Sequence, residues 1–416
     1  TGFMTPSVPF AERWKIIMEK KKVCIVGGGA AGMIAAIMAA RNHAAVTVLE
    51  HNEKTGKKLL ATGNGRCNLT NEKQEKSCYH SEQPEILWDV LQNFSFEQTL
   101  DFFKEIGIYP VSKNGYFYPS SMQASSVQEL LEMEARFLKV KIKCKEHVKE
   151  IKISETTESP KFSVITDTWQ YPADAVILAC GSCASEIDGA DGSGYALAKQ
   201  LGLKVIEPLP ALVPLKGKGN YFSKWSGTRI YGKIQLQAEQ KTLQTEEGEL
   251  QLTDYGISGI PVFQLSALAA KLLQKQRSVT LLIDFLPDFT KEELEELFLK
   301  RKELCPYKTT KELCIGLIPK KLIEVLVNKK TEISTLAEKI KAFPVEIVGT
   351  KPFSNAQVCQ GGVSLEEIAP ETMECKKIPN LYLAGELLDA DGICGGYNLQ
   401  WAWSSGACAG KEAALW

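Results

Sequence analysis

The first residues able to do chemistry form a glycine-rich turn near the start of the chain. Residues 27–32 read Gly-Gly-Gly-Ala-Ala-Gly and match GxGxxG, directly after the apolar run Lys22–Val26 and before a helical stretch. In a dinucleotide-binding turn, Gly27 permits the tight bend, Gly29 lets a pyrophosphate approach the backbone, and Gly32 lets helix and strand pack closely. The helix N-terminus then offers its N–H groups and positive dipole to the phosphates.

An acidic residue follows at the spacing that such a site needs. Residues 46–49 form a second apolar strand that ends at Glu50, 23 residues after Gly27. A carboxylate there can accept hydrogen bonds from an adenosine ribose. The alternative is a glycine-rich turn in an unrelated α/β domain, with Glu50 as a surface charge. We predict that a dinucleotide binds here.

The C-terminal part of the chain favours FAD over NAD. Residues 378–386 form an apolar strand that ends on Gly385 and Glu386, as in many flavoproteins with two dinucleotide folds. There the acid and the glycine reach the ribityl chain and pyrophosphate of FAD. A helix after Gly396 would point its N-terminus at the flavin pyrimidine and stabilise negative charge on reduced flavin. The alternative is a strand and helix without a ligand.

A middle strand supports the same interpretation. Residues 175–178 are apolar and lead into a small-residue turn containing Ala179 and Gly181, which would pass beneath the cofactor. The backbone near Val148 would meet the adenine. Because only one GxGxxG follows a strand, we expect tightly held FAD, with NADPH or NADH as a transient electron donor at most.

Composition limits the possible classes of protein. The 416 residues carry 49 Lys and Arg against 50 Asp and Glu, and 44% are hydrophobic. This predicts a globular protein of two or three domains, with no whole-molecule charge that favours nucleic acid or a membrane surface. No apolar stretch approaches the roughly 20 residues of a membrane span. Residues 1–19 start with Thr and are expected to lie outside the fold.

Twelve cysteines are scattered along the chain and are expected to be reduced, in a cytoplasmic protein. Only Cys180 and Cys183 have CxxC spacing. They are a possible redox pair, and no second pair completes a zinc site, so no metal is expected. The four histidines form no catalytic pair that the sequence reveals.

Two long motifs resemble one family. Residues 56–71 (GKKLLATGNGRCNLTN) and 386–402 (ELLDADGICGGYNLQWA) resemble signatures of the YhiN-like flavoproteins, often labelled BaiN-like or aminoacetone-oxidase-like. The resemblance covers the chain after Met18. The sequence of residues 179–195 departs from the turn that is usual in the family. Because that turn would lie close to the cofactor, the resemblance leaves open how substrate enters there and how the redox potential of the flavin is set.

The resemblance implies an α/β fold with a Rossmann-like FAD-binding domain of the two-dinucleotide-fold flavoprotein type, interrupted by an insertion. We assign residues 20–206 and 344–416 to that domain. Residues 207–288 carry short alternating strands and suit a small β-barrel. Residues 289–343 are charged and periodic and suit a helical subdomain.

The same motifs contain the candidate site residues. Arg66 is expected at the pyrophosphate or flavin edge, unless it caps its own loop. Cys67 lies beside Arg66, whose charge would favour its ionisation, and it is expected to give its thiol proton to a substrate carbon after hydride transfer, unless it is a buried packing thiol. The predicted catalytic residues are Cys67, Asn68 and Tyr397. The predicted cofactor-binding residues are Gly27, Gly29, Ala30, Ala31, Gly32, Glu50, Lys58, Gly65, Arg66, Cys67, Val148, Ala179, Gly181, Gly385, Glu386, Asp389, Gly396, Asn398 and Leu399.

Three functions remain open at this point. In the first, reduced FAD passes hydride to an activated C=C or C=N bond; the resemblance implies uracil in ribosomal RNA or a steroid-like enone of bile-acid breakdown. In the second, a small amine such as aminoacetone is oxidised with O2 as acceptor. In the third, the protein binds RNA and its FAD is structural. The partner is thus a small molecule or ribosomal RNA, and the oligomeric state is open.

Overall fold

The computed structural model describes residues 20–154 and 160–415, so the predicted extension 1–19 lies outside the described residues. The strands, in chain order, are β1 (Lys22–Val26), β2 (Ala45–Glu50), β3 (Thr70–Asn71), β4 (Tyr79–His80), β5 (Pro110–Lys113), β6 (Tyr116–Pro119), β7 (Lys141–Cys144), β8 (Val148–Ile153), β9 (Phe162–Thr166), β10 (Gln170–Ala173), β11 (Ala175–Leu178), β12 (Val205–Ala211), β13 (Leu215–Gly217), β14 (Thr228–Ala238), β15 (Lys241–Leu252), β16 (Gly256–Ser258), β17 (Val279–Asp284), β18 (Phe343–Thr350), β19 (Val358–Val363), β20 (Leu381–Leu383) and β21 (Asp391–Gly392). The α-helices are α1 (Ala30–Arg41), α2 (Lys57–Ala61), α3 (Pro84–Asn93), α4 (Phe96–Glu105), α5 (Ala124–Phe137), α6 (Ser193–Gln200), α7 (Phe222–Trp225), α8 (Ile260–Gln274), α9 (Lys291–Leu304), α10 (Thr310–Leu313), α11 (Lys320–Leu326), α12 (Ile333–Lys341) and α13 (Tyr397–Ala413).

A parallel sheet brings the two ends of the chain together. Its order is β20-β11-β1-β2-β7, and each neighbouring pair is parallel. The central strands β1 and β11 are apolar and almost entirely buried, as expected for a sheet covered on both faces. All five carboxyl ends therefore meet at one edge, where open α/β sheets bind their ligands.

Helices α1 and α13 pack against each other through small residues. A Cβ on Gly406 would lie 2.4 Å from the Ala31 carbonyl oxygen, and one on Gly410 would lie 2.2 Å from that of Ala35. Only glycine allows this approach of two backbones. The contact brings the N-terminal ends of both helices to the edge of the sheet where the strands end.

The middle of the chain forms a closed barrel with the order β13-β16-β15-β14-β17-β18. Alternate residues of β14 and β17 are buried, which is the period-2 pattern of a sheet with one covered face. Helices α9 to α12 lie between β17 and β18 in the chain. Their apolar residues, including Phe298 and Leu322, belong to the same hydrophobic core as the barrel residues Leu236 and Leu281.

The barrel extends further than the limits given by the sequence. From the sequence pattern, we predict that the barrel ends at residue 288 and that the chain returns to the FAD-binding domain at residue 344. In the structure β18 pairs with β17 and β13 and closes the barrel, so residues 343–350 belong to it. Pattern alone missed this strand because the helices separate it from its partners by more than 50 residues.

A two-stranded sheet joins the barrel to the sheet domain. Strand β12 runs into the barrel and β19 runs out of it, and the two pair antiparallel over Val205–Ala211 and Val358–Val363. Among the described residues, no helix combines the length and apolar character needed to cross a bilayer.

Candidate cofactor and substrate site

One cavity of about 820 Å³ lies at the carboxyl edge of the parallel sheet. Val26, Glu50, Ala179 and Gly385, at or just after the ends of four neighbouring strands, all line it. It continues past the start of α13 to helix α8 of the barrel region. The size suits a small-molecule or cofactor site, for which volumes of roughly 300–1,000 Å³ are usual.

The glycine-rich turn has the geometry of a phosphate-binding turn. Gly27 has φ +106°, and a Cβ there would lie 2.3 Å from the Ala179 carbonyl oxygen. A Cβ on Gly32 would lie 1.9 Å from the Gly27 carbonyl oxygen, whereas one on Gly29 would meet no atom within 4 Å. Gly29 therefore faces open space, and no side chain caps the N-terminus of α1 there. The first N–H groups of the helix point at this space without intrahelical partners.

Glu50 is held rigidly where a ribose would bind. One carboxylate oxygen accepts a hydrogen bond from the Gly28 backbone N–H at 2.7 Å. The other accepts from the backbone and side-chain N–H groups of Asn52, at 2.7 and 2.9 Å. The residue is 7% exposed and lines the cavity, so the remaining lone pairs of its oxygens are available to a ligand.

A charged pair lies on the opposite wall. Lys58 forms an ion pair with Glu386, and Ser182 donates a hydrogen bond to the same carboxylate at 3.0 Å. All three residues line the cavity. Lys58 thus keeps a cation within reach of a pyrophosphate, and Glu386 keeps it oriented in the absence of a ligand.

The far end of the cavity is built around the N-terminus of α13. Gly396, with φ +97°, precedes the helix, and no side chain caps it. A Cβ on Gly396 would lie 2.8 Å from the Thr70 carbonyl oxygen and 3.0 Å from Asn68 Oδ1. Asn68 is buried, and its Oδ1 has no hydrogen-bond partner among the described residues. A buried acceptor of this kind calls for a donor from a bound molecule.

Known proteins resemble this chain along nearly its whole length. Residues 21–412 match the family model described as the HI0933-like protein Rossmann domain. The chain belongs to the HI0933-like family.

Two curated relatives span nearly all of this HI0933-like chain. A 3-dehydro-bile acid delta(4,6)-reductase from Clostridium scindens is 46% identical and aligns over 94% of this chain and 99% of its own length. A ribosomal RNA dihydrouridine synthase from Haemophilus influenzae is 30% identical over 92% and 96%. Among solved structures, a 3-ketosteroid-delta4-(5alpha)-dehydrogenase from Rhodococcus jostii is 15% identical over 97% and 99%, with a TM-score of 0.48.

These findings confirm three predictions made from the sequence. The resemblance to YhiN-like flavoproteins is confirmed, because the HI0933-like model covers the same residues. The α/β fold with a Rossmann-like FAD-binding domain is confirmed, and so is the class of protein, an FAD-dependent oxidoreductase.

The cavity residues fit FAD. Gly29 leaves open the space that a pyrophosphate needs, Glu50 faces the ribose position, and Asn68 presents an unsatisfied acceptor at the other end. The two ends are joined by one continuous cavity, which an extended dinucleotide requires. Most of the residues predicted to bind the cofactor or act in catalysis line this cavity. They are Gly27, Gly29, Ala30, Ala31, Glu50, Lys58, Asn68, Val148, Ala179, Gly181, Gly385, Glu386, Gly396, Asn398 and Leu399.

Cys67 does not fulfil its predicted role. Its side chain is fully buried and does not line the cavity. Burial raises the pKa of the Cys67 thiol to about 12. The sequence placed the thiolate beside Arg66, but Arg66 is exposed and turned outward, so its charge does not offset the burial of the sulfur. Cys67 is a packing thiol.

Other predicted residues also serve the fold rather than the cavity wall. Tyr397 is buried edge-on against Tyr79, with the ring centroids 5.5 Å apart, and burial raises its pKa. Asp389 accepts hydrogen bonds from the Glu82 and Gly361 backbone N–H groups at 2.8 and 3.1 Å. Gly32, Gly65 and Arg66 likewise do not line the cavity.

Asn398 lines the cavity, but its amide is already engaged. Its Oδ1 accepts from the Gly392 N–H at 2.9 Å, and its Nδ2 donates to the Gly392 carbonyl at 2.8 Å. This side chain therefore shapes the loop that enters α13. By contrast, Asn68 Oδ1, at the same end of the cavity, has no partner among the described residues and can accept a hydrogen bond from a ligand.

Several cavity residues were missed by reasoning from the sequence. Tyr116 and Tyr118 line the flavin end of the cavity, and burial raises the pKa of Tyr118. A Cβ on Gly395 would lie 2.8 Å from the Tyr116 ring, which places that ring beside the entrance to α13. The alternating Tyr-Phe-Tyr of β6 was the available signal, since it predicts two aromatic rings on one face of a strand.

Two of the four histidines also meet at the cavity. His51 and His147 stack with ring centroids 4.3 Å apart, at the adenine end of the cavity. Asp191 Oδ2 lies 3.8 Å from His51 Nδ1. Burial, together with the neighbouring His51, lowers the pKa of His147. The sequence could not reveal this pair, because the two residues follow different strands almost 100 positions apart.

Proposed function

We propose that this protein is an FAD-dependent reductase that reduces the C=C bond of a bulky, apolar enone of the steroid or bile-acid type. NADPH or NADH reduces its flavin again after each turnover. The observation that carries the proposal is the shape of the cavity. Beyond the N-terminus of α13 it continues into an apolar section lined by Leu212, Ile260, Phe263 and Val358. Such a surface suits a rigid hydrocarbon skeleton, since apolar lining with a few polar groups is typical of sites for such ligands.

The chain's own residues supply binding, orientation and proton donation. Bound FAD supplies the hydride chemistry. Gly29 and Glu50 would hold the pyrophosphate and ribose of FAD, and the N-terminus of α13 would favour negative charge on the flavin. Tyr116 and Tyr118 are phenols at the wall next to that end; burial raises the pKa of Tyr118, and its phenol is neutral at pH 7, as tyrosine phenols ordinarily are. A neutral phenol donates a hydrogen bond to the enone carbonyl oxygen and so favours hydride addition at the conjugated carbon.

The residues at the entrance are suited to an apolar substrate and poorly suited to RNA. Ile260 is 63% exposed at the cavity and offers a large apolar surface to an incoming molecule. The net charge is −1, and two cations of the basic runs are engaged within the protein. Lys321 donates to the Ser226 carbonyl at 2.6 Å and Arg301 donates to that of Leu313 at 2.5 Å. The bile-acid reductase that is 46% identical supports the same substrate class.

The test is anaerobic reduction of the FAD-loaded protein by NADPH or NADH, followed by a 3-oxo-Δ4 steroid. The expected result is bleaching of the flavin absorbance by one nicotinamide and its return when the steroid is added. Mass spectrometry of the steroid should show a gain of two hydrogen atoms. Tyr118→Phe should lower the rate of flavin reoxidation by the steroid about tenfold to a hundredfold while FAD content stays unchanged.

Two other outcomes would overturn the proposal. Reoxidation by uracil-containing ribosomal RNA but not by steroid enones, with a steep dependence on salt, would establish the RNA reductase instead. Bleaching by aminoacetone without nicotinamide, with rapid peroxide release in air, would establish the amine oxidase.

A further inference from the structure

Two cysteines that lie far apart in the sequence meet beside the cofactor cavity. Cys183 Sγ and Cys359 Sγ are 3.5 Å apart. Cys183 lies in the turn between β11 and α6, and Cys359 lies in β19. Both are free thiols, and a small movement brings the sulfurs to bonding distance.

The CxxC neighbour of Cys183 is not its partner. Cys180 Sγ points to the Val26 carbonyl oxygen, 3.6 Å away, at the end of β1. Burial raises the pKa of Cys180 to about 12, so its thiolate is scarce at neutral pH. The turn between them contains Gly181 with φ +72°, which directs the two side chains to different walls. The spacing in the sequence therefore pairs Cys183 with the wrong residue.

The surroundings of Cys183 favour a thiolate. Hydrogen bonding by the Cys359 thiol lowers the pKa of Cys183 to about 7, and the charge of Lys58 acts in the same direction. Burial and the charge of Glu386 oppose this effect, and Tyr195 lies near both sulfurs and remains protonated because burial raises its pKa.

The two thiols differ in accessibility as an attacking and a resolving cysteine do. Cys183 is half-buried, whereas Cys359 is 3% exposed within β19. An external reagent can therefore reach Cys183 first. Cys359 then needs to reach only the Cys183 sulfur, which it already contacts.

We propose that Cys183 and Cys359 form a dithiol site that reacts with low-molecular-weight disulfides and closes to an intramolecular disulfide. The Cys183 thiolate attacks one sulfur of the external disulfide, which forms a mixed disulfide and releases one thiolate. Cys359 then attacks the Cys183 sulfur, and the second external thiol leaves with the proton of Cys359. The two protein thiols are oxidised, and the external disulfide is reduced to two thiols.

The bond would fasten the turn that carries Ser182 to the strand that leaves the barrel. Ser182 donates to Glu386, the partner of Lys58 at the cavity wall. The dithiol site thus links the redox state of its surroundings to the position of the cavity wall. This inference does not depend on the substrate proposed above.

The experiment uses the FAD-loaded protein equilibrated in glutathione buffers of increasing oxidised fraction, with free thiols blocked in acid. Peptide mapping without reduction should identify a Cys183–Cys359 crosslink, and the same crosslink should form in Cys180→Ser. Cys359→Ser should instead accumulate glutathione on Cys183. A Cys180–Cys183 crosslink, or a stable mixed disulfide on Cys183 in the unsubstituted protein, would overturn the proposal.

A second measurement follows the reactivity of the Cys183 thiolate directly. The rate of iodoacetamide labelling at Cys183, followed by mass spectrometry, should rise with pH around a midpoint near 7. At pH 7 Cys359→Ala, which removes the hydrogen-bond donor to Cys183, should label about fivefold more slowly, because the smaller thiolate fraction outweighs the higher intrinsic reactivity of that thiolate. Labelling of Cys183 with a midpoint at or above pH 8.5 in the unsubstituted protein would show that Cys359 does not activate it.

Discussion

At the scale of single residues, Glu50 shows how the fold prepares a ligand contact before the ligand arrives. Three N–H groups hold its carboxylate, and burial limits the water that could replace a ribose. Binding a ligand therefore costs little conformational entropy in the Glu50 side chain, because folding has already ordered it.

Glu50→Gln is expected to weaken FAD binding about tenfold to a hundredfold, since hydrogen bonds to a charged group contribute about 1.5–3 kcal/mol. The measurement is titration of the FAD-free protein with FAD, followed by flavin fluorescence. Glu53→Gln is the matched control, because Glu53 is exposed and pairs only with Lys145 at the surface. Equal affinities for the two variants would contradict the role of Glu50.

Cys67→Ala is expected to keep turnover within about twofold of the unsubstituted enzyme, because the Cys67 side chain is fully buried and does not line the cavity where a substrate would bind. Stability should fall by about 1 kcal/mol through lost packing. Cys24→Ala, at another buried cysteine with its pKa raised to about 12, is the control. A hundredfold loss of kcat in Cys67→Ala alone, with FAD content unchanged, would restore the cysteine as the proton donor.

At the scale of elements, the turn between β1 and α1 separates two uses of glycine. Gly32 is required by packing, because its α-carbon lies against the Gly27 carbonyl. Gly29 is required by the ligand, because a Cβ there points into open cavity. A sequence motif contains both glycines without separating their roles, whereas the structure shows that Gly32 is needed for packing and Gly29 for space at the cavity.

Gly29→Ala and Gly32→Ala should therefore fail in different ways. Gly32→Ala should lower the free energy of unfolding of the FAD-free protein by about 3 kcal/mol, since the new methyl group forces the helix from the strand. Gly29→Ala should leave that stability within about 0.5 kcal/mol of the unsubstituted protein and weaken FAD binding at least about tenfold. Denaturant unfolding of the FAD-free proteins and FAD titration separate the two effects. Loss of stability in Gly29→Ala would refute the assignment.

At the scale of the whole molecule, the described residues form two large hydrophobic cores, and a small separate cluster containing Leu212, Val358 and Phe263 contributes to the apolar section of the cavity. The first core surrounds the parallel sheet, and the second fills the barrel and its helices. Helix α8 reaches from the second toward the first: its Gln264 side chain accepts a hydrogen bond from the Cys394 N–H at 2.9 Å. The sheet domain thus lines the cavity at the glycine-rich turn, and helix α8 together with the ends of the joining strands β12 and β19 lines its apolar section.

Phe263→Ala is expected to raise KM for a steroid enone about tenfold without changing FAD content, because the lost ring removes roughly 1–2 kcal/mol of apolar contact. Phe289→Ala is the matched control, because that ring is likewise partly buried, packs against the barrel core and does not line the cavity, whereas Phe263 packs against the small cluster at the cavity. Steady-state kinetics with a bulky and a small enone provide the comparison. An equal rise of KM in both variants would mean that the effect comes from barrel stability.

The sequence by itself determined the strand, turn and helix of the dinucleotide site, together with the position of Glu50. These features depend on neighbours within a few residues, and the structure has β1 at Lys22–Val26 and α1 at Ala30–Arg41. The long motifs also determined the family. Local periodicity and glycine spacing carry this information because backbone geometry is local.

Only the tertiary structure decided which side chains face the cavity and which thiols and rings meet. Cys67 and Asn68 are adjacent in the chain, yet one is packed in the core and the other lines the cavity. Cys183 meets Cys359 rather than Cys180, and His51 stacks on His147. These outcomes depend on the direction of each side chain and on strands brought together from distant parts of the chain, which no short pattern specifies.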